Sequence, residues 1–352
     1  MSGCLEIVQP GIGTTVQDAG RTGHRHHGLP VAGWLDVPLA QAANALLGNP
    51  IHAALLELRG LGTRWQVIRG PVRIAMTGRV EAIVWRPDGL REVLPAWQTT
   101  TLHTGDAVQT GLAEDGCAYL AVSGGLDLPP AFGSRSTDWR AGLQGVLGRA
   151  FVPGDRLPCG GWGDTDAREW RYPVPWTLDD GPIRVLPGPQ DGHFTPDAWA
   201  SFFDQSWQAT TAQNRMGVRL QGSPLTHTST AMAEIVSDGA APGAIQVPAN
   251  GQPIVLLADS QTVGGYPKMA TVITADQPRL AHLRPGTRIR FVAVNLDQAH
   301  AALRAQRARW QRWLGTRQTF LPPGTLDQEA LYSANLVSGV LGIHPPETLP
   351  CP

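Results

Sequence analysis

The chain has 352 residues, a formal charge of −1 and only 16% charged residues, without the basic excess that a nucleic-acid surface requires. Hydrophobic content of 42% is ordinary for a globular protein, and no apolar run approaches the ~18 residues of a membrane span. Cys4, Cys117, Cys159 and Cys351 are scattered without C-x-x-C spacing, so neither a zinc site nor a disulfide framework is indicated, and a reducing cytoplasm is the expected setting.

The 41 glycines and 30 prolines are spread between short apolar runs, a pattern of many turns between short strands. The start, MSGCLEIVQPG, lacks the basic opening and apolar core of a signal peptide. Its CLEIVQP reads as a strand closed by a Pro10-Gly11 turn. Thr14 to Trp34 is a long Gly-rich connection, a length that in a compact domain points to function. A helix follows, with Asp36 as cap, Pro38 in the first turn and Leu39, Ala42, Ala43, Leu46 and Leu47 at helical spacing; Gly48-Asn49-Pro50 stops it.

From Ala53 to Ala121 the chain alternates strand and turn: ALLELRG, TRWQVIRG, VRIAMTG, EAIVWRPDG and CAYLAVSGG. Alternation such as Val72, Ile74, Met76 predicts sheets with one buried face, which a barrel or sandwich would close. The polar, Trp- and Pro-rich run from Trp162 to Leu178 marks the boundary between two units. The second unit opens with the strand IRVLPGP and a short helix capped by Thr195, and continues through VRLQG, AEIVS, AIQVP, PIVLLAD, ATVIT and RIRFVAV. The phrase Leu-x-x-Gly-[Asp/Thr] before a strand occurs near Gly105 and again near Gly286, hinting at two related units. A helix from Asn295 carries Leu296, Ala299, Leu303, Arg307, Trp310 and Leu314 along a stripe, and DQEALYSANLVSGVLG reads as a last helical piece. The expected division is 1–165, a linker at 166–182, 183–295, and a helical extension at 296–352.

Several loops concentrate chemistry. His24, His26 and His27 cluster beside Arg25 with no cysteine and only Asp18 as a nearby acid, which reads as a polar loop, and no residue is assigned to a metal. No Walker-type P-loop occurs, so any nucleotide is bound by another device. FGSRSTDWR brings Arg135, Ser136, Thr137 and Arg140 together, a set suited to a carboxylate or phosphate or simply to a Ser/Thr turn. QNRMGVRL places Asn214 and Arg215 before a Gly turn. The densest stretch runs from Gly243 to Ile273: Gln246, Asp259, Gln261, Thr262, Tyr266 and Lys268 gather at strand ends around Gly264-Gly265, as in a pocket that orients a small polar ligand. Of the 28 basic residues only Lys268 is a lysine; buried, its ammonium would act as base or nucleophile, and exposed it would serve as a charge.

Seven motifs in order, QPGIGTTVQDAGRTGHRHHGLPVAGWLD, ALLGNP, GSRSTD, RVLPGPQ, NRMGVRL, SDGAAPGAIQVPANGQPIVLLADSQTVGGYP and LRPGTRIRF, resemble the allophanate hydrolase subunit 2-like group, also called the biotin-dependent carboxyltransferase family. The likeness spans roughly residues 4 to 295. It implies a mainly β fold of two cyclophilin-like open β-barrel units with a few peripheral α-helices. It also implies an ATP-dependent lactam hydrolase that opens 5-oxo-L-proline to L-glutamate. Its partners would be an allophanate-hydrolase-subunit-1-like protein and a LamB/YcsF-family protein, with ATP bound with or by those partners. By the same resemblance the catalytic positions are Lys268, Tyr266 and Asp259. The substrate-binding positions are Arg135, Ser136, Asn214, Arg215, Gln246, Gln261 and Thr262.

Two other functions stay open on the sequence. One is a carboxyltransferase component acting on urea or a similar small amide, with biotin arriving on another chain, because no Ala/Val-Met-Lys-Met biotinylation site is present. The other is a regulatory binding protein without chemistry. All of these rest on one spatial expectation, that the polar groups of the second unit share a single cavity with the arginine-bearing loops.

Overall fold

The structure, a computed structural model, describes residues 2–161, 168–322 and 325. It is mainly β, with four short to medium helices: α1 (Val37–Leu46), α2 (Pro196–Asp204), α3 (Gln277–Leu280) and α4 (Leu296–Leu314). The helical piece expected over 327–342, and Cys351, lie outside the described residues.

The N-terminal unit is two antiparallel sheets closed on one core. One runs in the order Arg156–Gly161, Ser2–Gln9, Arg64–Arg69, Ala107–Thr110, Ala82–Trp85, Arg91–Leu94. The other runs Thr15–Gln17, Leu55–Leu58, Ala118–Val122, Val72–Thr77, Thr99–Leu102. Period-two patterning explains the first sheet: Trp65 and Val67 point inward, while Gln66 and Ile68 are only partly covered. The second departs from the expected one-sided burial. All six residues of Val72–Thr77 are buried, because α1 and the segment 169–172 cover its outer face: Thr77 donates to the Leu39 carbonyl, Ala75 packs with Leu46 and Tyr172, and Arg73 pairs with Glu169.

The C-terminal unit is one eight-stranded sheet curled into a nearly closed barrel. Its order is Arg288–Ile289, Trp207–Asn214, Gly217–Gln221, Ile254–Leu256, Ala244–Gln246, Lys268–Val272, Ile183–Pro187, Phe291–Ala293, antiparallel except for the last pair. RIRFVAV, expected as one strand, is two. Arg288–Ile289 lies on one edge, Phe291–Ala293 on the other, and only Arg290 stands between them, its carbonyl accepting the Ile183 amide. AEIVS is not a strand. Thr230–Ala233 is a 3₁₀ turn and Val236 projects into solvent, so no sheet face is available to bury alternate side chains.

α1 begins as its sequence dictates: the Asp36 carboxylate accepts the Leu39 amide at 3.0 Å and Pro38 sits in the first turn. The helix is not peripheral. Leu39, Ala40, Ala42 and Ala43 join Tyr119 and Ala121 of the N-terminal unit and Val218, Leu257 and Leu280 of the C-terminal unit in one shared core. From Glu169 on, the segment expected as a linker is packed as well. Glu169–Arg171 pairs with Gln318–Phe320, while Tyr172 stacks on Trp313 and Trp176 meets Trp310 edge to face, both on α4.

Candidate functional site

The long connection from Thr14 to Trp34 runs along the seam between the units. The Asp18 carboxylate gathers the GSRST turn around itself, accepting the Ser134 hydroxyl at 2.5 Å, the Ser136 hydroxyl at 2.7 Å and the Arg135 amide at 2.6 Å. The loop then doubles back, and Gly33, at φ 81°, lies so close to Gly20 that a Cβ would stand 2.9 Å from the Gly20 nitrogen. From this position the Gly33 carbonyl faces the C-terminal unit and accepts from Arg215 at 2.6 Å.

Arg215 is the clasp of the seam. Its guanidinium, at the tip of the hairpin Trp207–Gln221, pairs with Asp259 through two hydrogen bonds of 2.9 Å and reaches across to the buried Glu57 of Leu55–Leu58. Although burial disfavours its charge, Asp259 and Glu57 more than offset that cost, so its pKa is raised. Burial pushes the Asp259 carboxyl up from its ordinary value, with the Arg215 charge opposing the shift. Behind the clasp a polar chain enters the core. Glu57 accepts from the Tyr119 hydroxyl at 2.9 Å, which accepts the Asp36 amide at 2.8 Å, and the Asp36 carboxylate lies 2.7 Å from His282 Nε2. Burial opposes the imidazolium of His282, but Cys117 and Asp36 beside it outweigh burial and raise its pKa.

On the outer side of the clasp lies a cleft of about 440 Å³ between the units. Gly13, Arg59, Thr137, Asp138 and Arg140 line it from the N-terminal unit, and Asn214, Arg215 and Asp259 line it from the C-terminal unit. The exposed indole of Trp139 forms part of its wall. Arg140 donates to the Asp259 carbonyl and so ties the two walls together. Two of the lining residues hold buried polar atoms with no partner among the described residues, Thr137 Oγ1 and Asp138 Oδ2; Ser260 Oγ and Nε and Nη1 of Arg21, which do not line the cleft, are unpartnered too. Arg21 is 1% exposed. Burial lowers its pKa, and the charges of Asp138, Asp18 and Asp259 work against that shift. Native proteins rarely leave such groups unmet, and unmet groups beside a cavity mark where a ligand completes the set.

The expected single cavity is therefore divided. Asn214, Arg215 and Asp259 share the cleft, whereas Lys268, Gln246 and Gln261 do not line it. Lys268 belongs to the strand Lys268–Val272 rather than to the preceding loop, is 4% exposed, and its ammonium pairs with Asp238 at 2.8 Å. Gln261 donates to Gln246 at 3.2 Å, and Gly264 packs so closely that a Cβ there would lie 2.6 Å from Gln246 Nε2. The Thr262 main-chain carbonyl accepts the Ala240 amide, and Tyr266 is 42% exposed; neither residue lines the cleft. Arg135 turns to the Leu128 carbonyl and Asp127, and Ser136 is consumed by Asp18, so both support the loop rather than face the cleft. Sequence reading missed Glu57, Arg21 and Asp138. The signal for Glu57 was an acid inside the otherwise apolar run ALLEL; for Arg21 it was a charge in a Gly-rich loop too long to be idle.

The match to known proteins covers most of the chain. A family model described as carboxyltransferase domain, subdomain A and B, matches residues 27–293. The chain is 41% identical over 308 residues to the C subunit of 5-oxoprolinase from Escherichia coli (strain K12), covering 86% of this chain and 95% of that protein. It is 34% identical over 298 residues to the corresponding 5-oxoprolinase protein of Haemophilus influenzae, covering 84% and 93% respectively. The crystal structure of the Kluyveromyces lactis urea amidolyase superposes with a TM-score of 0.75 at 26% identity, covering 88% of this chain and 20% of that much longer one. Glu57, Asp138, Arg215 and Asp259 fall within the matched region, whereas Gly13, Asp18 and Arg21 precede it, and the chain belongs to the carboxyltransferase domain family with its subdomains A and B.

Proposed function

We propose that this chain is the C subunit of an ATP-dependent 5-oxoprolinase, which opens 5-oxo-L-proline to L-glutamate together with an allophanate-hydrolase-subunit-1-like protein and a LamB/YcsF-family protein. The observation that carries this reading is the alignment with two proteins of that name over 95% and 93% of their lengths. The cleft supports it. Its volume lies in the range of small-molecule sites, and Arg59 and Arg140 on its walls suit the carboxylate of a cyclic amino-acid amide. Opening a lactam requires activation of its carbonyl, by phosphorylation at the expense of ATP, before water attacks. In this reading ATP is held with or by the partner subunits, and this chain positions the amide. Arg215 and Asp259 shape the wall, while Lys268, Gln246 and Gln261 brace the loop that ends at Gly264.

A second reading is favoured by the matched family and by the urea amidolyase likeness: transfer of a carboxyl group from biotin to a small amide. The single lysine is buried and ion-paired, so biotin would arrive on another polypeptide. One experiment separates the two. The purified chain is mixed with both partner proteins, 5-oxoproline and ATP as the complete mixture, and separately with a biotinylated carrier protein and its carboxylase, urea, bicarbonate and ATP, each with and without avidin. Glutamate and ADP released only by the complete mixture, and insensitive to avidin, are the expected result; no glutamate from any mixture overturns the proposal, and avidin-sensitive carboxylation supports the second reading.

A further inference from the structure

We infer that Asp138 is the recognition residue for the amide N–H of the ligand in the interdomain cleft, its Oδ2 being the acceptor that the ligand satisfies. The inference deepens the preceding proposal and rests on its claim that a small amide occupies this cleft.

Asp138 is 3% exposed yet lines the cleft. Its two oxygens have different fates: Oδ1 accepts the Arg140 amide at 3.0 Å and so fixes the turn, and Oδ2 has no partner among the described residues. The bond from its amide to the Leu147 carbonyl holds the backbone, and the bond that Oδ1 accepts from the Arg140 amide holds the carboxylate. A buried carboxylate oxygen is an acceptor only and calls for an N–H or O–H from whatever fills the space. Beside it, the Thr137 hydroxyl is equally buried and unpartnered, and it is able to donate to a carbonyl. An acceptor next to a donor complements a cis amide, whose N–H and C=O lie on the same edge. Ring closure forces that arrangement on a lactam, and urea presents the same edge. Arg21 supplies positive charge near Asp138 without hydrogen-bonding to it, leaving Oδ2 available for the ligand.

The test compares 5-oxoproline with its N-methyl derivative by equilibrium binding to the full chain, alone and with the partner proteins, in wild type and Asp138→Asn. Asparagine keeps an oxygen for the Arg140 amide, so the turn is retained, which a melting curve verifies. Wild type is expected to prefer the N–H ligand by about 10- to 100-fold, the worth of one charge-assisted hydrogen bond, and Asp138→Asn to lose most of that preference. An unchanged preference in Asp138→Asn overturns the inference and leaves the functional proposal standing. Should the variant not fold, the ligand pair decides on wild type alone, and equal binding of both compounds overturns the inference. Binding of neither compound by wild type in any mixture overturns the small-amide reading and the inference with it.

Discussion

Arg215 and Glu57 meet across the seam, one on a hairpin of the C-terminal barrel and the other inside a strand of the N-terminal unit. Glu57 is fully buried and Arg215 nearly so, and removing one partner of a buried pair leaves the other charge uncompensated. Arg215→Met is expected to cost about 3–5 kcal/mol, read from denaturant unfolding, because it strands both Glu57 and Asp259. A double variant with Glu57→Gln is expected to recover part of that loss; a cost equal to the sum of the single changes would show that the two groups do not interact.

The pair of His282 and Asp36 predicts a pH dependence. In the folded chain the imidazole pKa is raised to about 12. Its unfolded value is near 6.5. Below about pH 6.5 both states bind the proton and the contribution to stability is complete; above it only the folded state holds the proton, so the contribution declines as pH rises toward the folded value. Denaturation midpoints are therefore expected to fall from pH 6.5 to 9 in wild type and to fall less steeply in His282→Gln. Equal slopes would remove this pair as the cause.

Gly33→Ala forces a left-handed backbone on an ordinary residue and drives its Cβ against Gly20. A cost of about 1–3 kcal/mol is expected. The same change displaces the carbonyl that accepts from Arg215, so ligand affinity in the cleft should drop along with the melting temperature. A melting temperature equal to that of wild type would contradict the packing described.

Lys268→Ala separates two roles for the sole lysine. Placed away from the cleft and paired with Asp238, it is expected to lower the melting temperature while leaving amide binding within about threefold of wild type. Loss of turnover in the reconstituted complex with unchanged stability would return Lys268 to the chemistry.

The division between what the sequence discloses and what it conceals follows from range. Asp36 and Thr195 each accept the amide three residues on, Pro38 fits the first turn, and the helices they start lie where the sequence places them. Strands with a regular period were equally legible. The candidate site was not, because it is assembled from residues far apart in the chain: Arg21, Glu57, Asp138, Arg215 and Asp259. Local clustering misled at Lys268. Nearness in sequence to Asp259 suggested one pocket, but a strand carries Lys268 into the sheet toward Asp238. Likewise Ser136 has the hydroxyl of a ligand-binding residue, yet Asp18, 118 positions earlier, claims it.

Because one run of chain, Arg288–Ile289 and Phe291–Ala293 with Arg290 between them, supplies both edge strands of the eight-stranded sheet, a single residue carries the covalent tie from one edge of the C-terminal barrel to the other. A nick at Arg290 would cut that tie while leaving each edge strand on its own neighbour, Trp207–Asn214 on one side and Ile183–Pro187 on the other.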